Sequence, residues 1–320
     1  MGRKEKKENI SINLNCYTIS FRERNKKNSF VTLDEVFGAK SFIEIIQSFI
    51  KEVDTKSCFV NDDKTRVFYI NDTLSLTDDT YSAIIKKGHS GHETYIDELN
   101  GRGVNTTTTI TSDKFNSSPF FLLISRPDNN PFKFVVLAQS YKQFGYKEIF
   151  EEAFKKFIKD VHPNEFICEF ATLSIASLFE KYINDGSIRK LRFKKNILPK
   201  NYENVLGDDD NKNNNLYEAE LVLTAKQQGF MGIKKNISFE NSTFAEIFKI
   251  DDFDYDEAYA DISLGNRKRT LSISNPASFS ASYDVTEKAN VNSTTNHPDF
   301  SLLKNEALSI LKEEIIPTFK

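Results

Sequence analysis

The chain has no tryptophan and only three cysteines, Cys16, Cys58 and Cys168, with four histidines. The cysteines are odd in number and far apart, so they form neither a disulfide framework nor a Cys/His metal spacing. They read as reduced thiols of a cytoplasmic protein. No window approaches the ~18 apolar residues of a membrane span. The first residues, MGRKEKKENIS, are basic but lead into no apolar stretch, which argues against a signal peptide. Lys6 stands where a myristoylation motif wants Ser or Thr. There is no P-loop, no glycine fingerprint of a dinucleotide fold, no GxSxG and no HExxH. The net charge is −3, so any affinity for nucleic acid must come from a local patch.

What the chain has in plenty is phenylalanine, 28 residues of it. Phe buries a large area and leaves no polar atom to satisfy, so a packed core is easily supplied. The strongest folding signal runs from Ser117 to Ile158. Phe120–Ser125 and Phe132–Gln139 are apolar runs around the turn cluster Arg126-Pro127-Asp128-Asn129-Asn130-Pro131, which predicts a hairpin. Ile149, Phe150, Phe154, Phe157 and Ile158 follow at helical spacing.

Elsewhere the pattern predicts a strand over Ile10–Phe21 and a capping box at Thr32/Glu35. A helix led by Ser41 should follow, then short strands at Cys58–Val60, Arg66–Asn71 and Leu74–Leu76. Thr80–Leu99 reads as a strand pair broken at Gly88-His89-Ser90-Gly91, and Thr106–Thr111 as a Thr-rich strand. Strands are expected at Glu165–Phe170, Ile188–Phe193 and Leu216–Ala225, with a hairpin at Ala258–Leu264/Thr270–Ser274. A last helix should start near Phe300, capped by Asp299 and ended by Pro317. The fold class is α+β, with mixed sheets, flanking helices and two subdomains. The expected division is an N-terminal domain over 1–163, built around the hairpin-helix unit, and a C-terminal domain over 164–320.

Catalytic signals are thin. His89 and His92 in KKGHSGHETY could contact a phosphate or a metal, but with no Cys or third His nearby a Gly-rich turn is the better account of them. His162 and His297 each precede a proline and have no evident partner. Asp251-Asp252-Phe253-Asp254-Tyr255-Asp256-Glu257 reads as a solvated loop, because nuclease carboxylates converge from separate elements. Glu218, Glu220 and Lys226 share a strand, but the spacing is too long for a restriction-type nuclease motif. No cofactor or metal is expected.

Three basic clusters remain. Arg189, Lys190, Arg192, Lys194 and Lys195 crowd one predicted strand. Arg267, Lys268 and Arg269 mark a hairpin tip. Lys234 and Lys235 follow Gly229-Phe230-Met231-Gly232, which has the shape of a phosphate-clamping GxxG loop. Cations on alternating strand positions and at a hairpin tip can follow a phosphate backbone without reading bases. These ten residues are the candidate nucleic-acid contacts, and the ordinary alternative is a set of solvated faces.

The order of elements adds a resemblance. Ile85–Gly91, the hairpin around Pro119–Gln139, the strand YEAELVLTAK followed by GIKKNI, ADISLGNRKR and a closing helix together resemble the RexA-like phage-exclusion and abortive-infection family. That resemblance implies a cytoplasmic, dimeric, non-catalytic protein that binds double-stranded DNA with little sequence preference. It also implies a role in anti-phage defence beside a membrane-protein or phage-protein partner, and it brings no catalytic residues. The alternatives are a metal-dependent nuclease effector and a protein-interaction module that senses a phage component.

Overall fold

The computed structural model describes residues 11–24, 26, 29–90, 93–100, 103–142, 144–163, 165–173, 182, 185–195, 219–226, 255–264, 267–272 and 282–319. At 99–100 and 267–268 the description is of the backbone alone. The chain is α+β and divides into two compact units, 1–173 with 285–320, and 174–284.

In the first unit the elements run β1 (Ile12–Glu23), β2 (Phe30–Val31), α1 (Leu33–Phe37), α2 (Phe42–Glu52), β3 (Phe59–Val60), β4 (Arg66–Leu76) and β5 (Thr80–His89). There follow β6 (Thr94–Asn100), β7 (Gly103–Ile110), β8 (Asn116–Ser125), β9 (Lys133–Tyr141), α3 (Lys147–Val161) and β10 (Phe166–Thr172). The second unit holds β11 (Ser187–Lys195), β12 (Ala219–Thr224), β13 (Glu257–Leu264), β14 (Arg267–Ser272) and β15 (Ser282–Asp284). The chain then returns to the first unit with α4 (Phe300–Ile310), continued by a π turn over Leu311–Ile315 and a 3-10 turn over Ile316–Thr318. The division expected near Pro163 therefore falls after Leu173, and the C-terminal half is not one domain. The reason is the closing helix, whose apolar stripe Leu303, Ala307, Ile310, Leu311 and Ile315 is buried, with α4 lying against β8.

The main sheet is antiparallel, in the order β10-β1-β9-β8-β5-β4-β3, with β2 beside β1. Helices α2 and α3 cover one face, where Phe134, Val136, Phe120 and Leu122 meet Phe49, Phe150, Phe154 and Phe157. Phe49 touches three rings of α3 at centroid distances of 5.1–6.1 Å. Covering on both faces explains why Phe120–Ser125 is buried without a break, where a sheet wetted on one side would alternate. The expected hairpin, α2, α3 and the Thr32/Glu35 capping box are present, and Ser41 forms a second box with Glu44, Thr32 and Ser41 each accepting from the backbone three residues on.

Two expectations are corrected. Arg66–Leu76 is one strand, since two register shifts against β5 absorb the break that looked like a turn. Thr80–Leu99 is not a strand pair: β5 lies between β4 and β8, while β6 pairs with β7 in a separate exposed hairpin. Gly88 stays inside β5 because a Cβ there would lie 2.3 Å from Ser117 Oγ and 2.8 Å from Val67 Cγ1. Its role is close approach of neighbouring strands and not a turn. The sequence regions 174–181, 201–218, 227–254 and 273–281, including the linker at Asp208–Asn215, lie outside the described residues.

Candidate nucleic-acid surface and a donor-lined cleft

In the second unit β12-β11-β13-β14 form a four-stranded antiparallel sheet. Ile188, Leu191 and Phe193 of β11 are buried beside Ala258, Ala260, Ile262 and Leu271. Strand alternation puts Lys190, Arg192 and Lys194 on the opposite, wetter face. The register shifts between Ile188 and Lys190, so Arg189 is a bulge residue, and it is exposed.

The neighbouring strands alter the charge of that face. Lys190 lies opposite Asp261, Arg192 opposite Tyr259, and Lys194 between Glu220 and Glu257. Arg192 Nη2 is 3.5 Å from Asp261 Oδ1, and the guanidinium carbon is 5.6 Å from the centre of the Tyr259 ring. Thr270 Oγ1 donates to the same Asp261 oxygen at 2.6 Å, and the Tyr259 hydroxyl donates to Glu257 at 2.7 Å. The middle of the basic strand is therefore interleaved with acids from strands distant in sequence. Even so, β11–β14 carry eight Lys and Arg against three Asp and Glu.

Arg269 does not belong with the candidate contacts on solvent. It is 7% exposed, and its guanidinium carbon lies 3.6 Å and 4.8 Å from the ring centres of Tyr283 and Tyr182. It is a buried cation held between aromatic faces. Its register partner is Ile262, on the buried side of the sheet. Arg267 and Lys268 are on β14, opposite Leu264 and Ser263. Lys234 and Lys235 lie outside the described residues, as do Glu218, Asp252 and Asp254. Asp256 sits in the bend before β13, where its N–H donates to the Lys194 carbonyl. Among the described residues, no three His, Cys, Asp or Glu side chains converge as metal ligands do.

The first unit holds a site that sequence reasoning missed. A cleft of about 440 Å³ opens at the end of β5, β8 and β9. Lys87 and His89 reach it from β5, Phe120 from β8, Tyr141 from β9, and His297 from the loop before α4. That loop is fixed locally. Asn292 Oδ1 accepts from the N–H groups of Thr294 and Thr295, Asn296 adopts a left-handed φ of 56°, and the His297 carbonyl accepts from Asn292 N. The Tyr141 hydroxyl is 3.2 Å from His297 Nδ1, so a residue expected to have no partner has one. Lys87 Nζ donates to the Gly145 carbonyl at 2.6 Å. Partial burial lowers the Lys87 pKa. It also lowers that of His89, to which the charges of Lys87 and Arg66 add, and that of His297. The aromatic wall ends in Phe144, which is 67% exposed just past β9. Asn116, Ser118, Thr295 and Asn296 complete the lining, and among the described residues no carboxylate is part of it. The KKGH spelling was the available signal. His297 was not legible, because more than 200 residues separate it from β5 and only the sheet and the returning chain bring them together.

No family model matches the chain, and no curated protein matches it.

Proposed function

We propose that the protein binds double-stranded DNA through the second unit with little sequence preference, as a non-catalytic, cytoplasmic, dimeric component of anti-phage defence. The observation that carries this reading is the concentration on β11–β14 of seven basic residues besides the buried Arg269, against three acidic ones, in a chain whose net charge is −3. Antiparallel strands with cations at their edges and a bulged, exposed Arg189 suit contact with a phosphate backbone rather than base readout. The acids beside Lys190, Arg192 and Lys194 set a ceiling on that affinity. The resemblance of the hairpin and the ADISLGNRKR strand to RexA-like phage-exclusion proteins supports the same assignment, and a membrane-protein or phage-protein partner belongs with it. No helix among the described residues is long and apolar enough to cross a membrane.

The test is binding of the full chain to labelled duplex DNA over a salt series with Mg²⁺ present, the DNA being run on a gel afterwards. Counterion release predicts that log affinity falls linearly with log salt, by about 0.9 for each phosphate neutralised. Intact DNA, a steep slope and equal affinity for unrelated duplexes are expected. Cut DNA that chelator protects would replace this reading with the nuclease one. Absence of binding at low salt would leave the interaction module.

A further inference from the structure

We propose that the cleft between β5, β9 and the loop before α4 is a binding site for a mononucleotide-sized ligand that carries both a phosphate and an aromatic base. This does not rest on the DNA-binding reading, which concerns the other unit.

Three observations point the same way. The first is polarity. Among the described residues the lining carries an ammonium, two imidazoles, a phenol and four neutral polar side chains, and no carboxylate. Such a set supplies donors to an anion and repels none. Lys87 has no carboxylate within ion-pair distance among the described residues, although the Glu148 charge acts on it from further off, and its hydrogen bond goes to the neutral Gly145 carbonyl. The Lys87 and Arg66 charges that depress His89 are the field an incoming phosphate would meet, although Arg66 also pairs with Glu152 and Glu148.

The second is the aromatic wall. Phe120 and Tyr141 lie 5.4 Å apart, centre to centre, at the back of the cleft. Phe144 stands beyond them with two-thirds of its surface in water. Its backbone is locked to Tyr141 by a reciprocal pair of 2.8 Å bonds, so this ring is held out by a tight turn and is not a frayed end. An exposed ring on a fixed turn, beside a cationic wall, suits stacking of a base. The third is size. About 440 Å³ accommodates a nucleoside monophosphate and is more than a free phosphate needs. The elements divide the work: β5 offers the Lys87 cation and the His89 imidazole, the turn after β9 offers the ring, and the loop before α4 offers His297, steadied by Tyr141.

The experiment is calorimetric titration of the full chain with AMP, GMP, CMP and UMP, and separately with adenosine and inorganic phosphate. Purine monophosphates should bind more tightly than pyrimidine ones, and at least tenfold more tightly than adenosine or phosphate alone. Lys87→Met should weaken AMP at least tenfold, and Phe144→Ala several-fold, each with an unfolding temperature within a few degrees of the parent. Arg189→Glu, in the other unit, should leave AMP binding unchanged even where it weakens DNA. Two results would overturn the proposal. One is no heat with any monophosphate at millimolar concentration. The other is phosphate binding as tight as AMP with no effect of Phe144→Ala, which would mark an anion site without base recognition.

Discussion

Arg269 and Tyr283 stack at 3.6 Å, guanidinium carbon to ring centre, inside the second unit. The arginine's role there is to fill and order a small core. A lysine cannot reproduce a planar, weakly hydrated cation between rings. Arg269→Lys should destabilise the unit by about 1–3 kcal/mol, read as a lower denaturant midpoint. Arg269→Glu should fail to fold that unit, so loss of DNA binding in that variant would say nothing about contact. Near-equal midpoints for Arg269→Lys and the parent would show that the stacking is incidental.

Asp261 holds down the field of the basic strand through Arg192 and Lys190. If this sheet meets DNA, Asp261→Asn should tighten binding by roughly two- to fivefold at low salt. It should also steepen the salt slope. The opposite change, Arg189→Glu with Lys190→Glu, should flatten the slope by about 2, one phosphate each. A slope that ignores both variants would move the contact surface elsewhere.

Gly88→Ala should cost about 1–3 kcal/mol, because the new methyl meets Ser117 and Val67 across two strands that cannot separate. Chemical denaturation reads it directly. The double variant Gly88→Ala with Ser117→Gly should recover part of the loss, since the closest contact is with the serine oxygen.

Thiol chemistry should be split by burial. Cys58 is exposed, whereas Cys16 and Cys168 are buried. Burial pushes the Cys168 thiol far up, so its reactive thiolate is scarce at neutral pH. One thiol should react quickly with an aromatic disulfide in the native protein, and three after denaturation. Three fast thiols in the native state would contradict the packing of β1 and β10.

His297 and His89 both have depressed pKa values, so the folded protein favours their neutral forms. The unfolded chain takes protons at about 6.5 and the folded one only at lower pH. Their contribution is therefore intact above pH 6.5 and declines as pH falls through the folded values. His297→Asn should flatten the acid side of the stability curve. Unchanged acid sensitivity would remove this histidine from the explanation.

Much of the fold was legible because periodicity reports burial. The apolar runs at Phe120–Ser125 and Phe132–Gln139 announced a hairpin, and the Thr32/Glu35 capping box and Ser41 announced helix starts. What was not legible depended on register. Reading IRKLRF as a cationic face ignored the partner strands, and only pairing shows Asp261, Glu257 and Glu220 beside it. Gly88 looked like a break because a glycine required by a neighbour in space is indistinguishable, in sequence, from one required by a turn. The basic triplet Arg267-Lys268-Arg269 looked uniform, yet alternation turns Arg269 towards Ile262 and the tyrosines. The return of the chain to the first unit carries no local signature.

That return has a practical side. Leu173 N donates to the Cys16 carbonyl as the chain leaves the first unit, and Val285 N donates to the Ile12 carbonyl as it comes back. Both stitches are on β1, four residues apart, or about 14 Å along the strand. A short glycine-serine bridge from Leu173 to Val285 would span that gap, so 174–284 is inserted as a cassette between two points on one strand. Evolution could exchange such a cassette for another while leaving the cleft between Lys87 and His297 untouched.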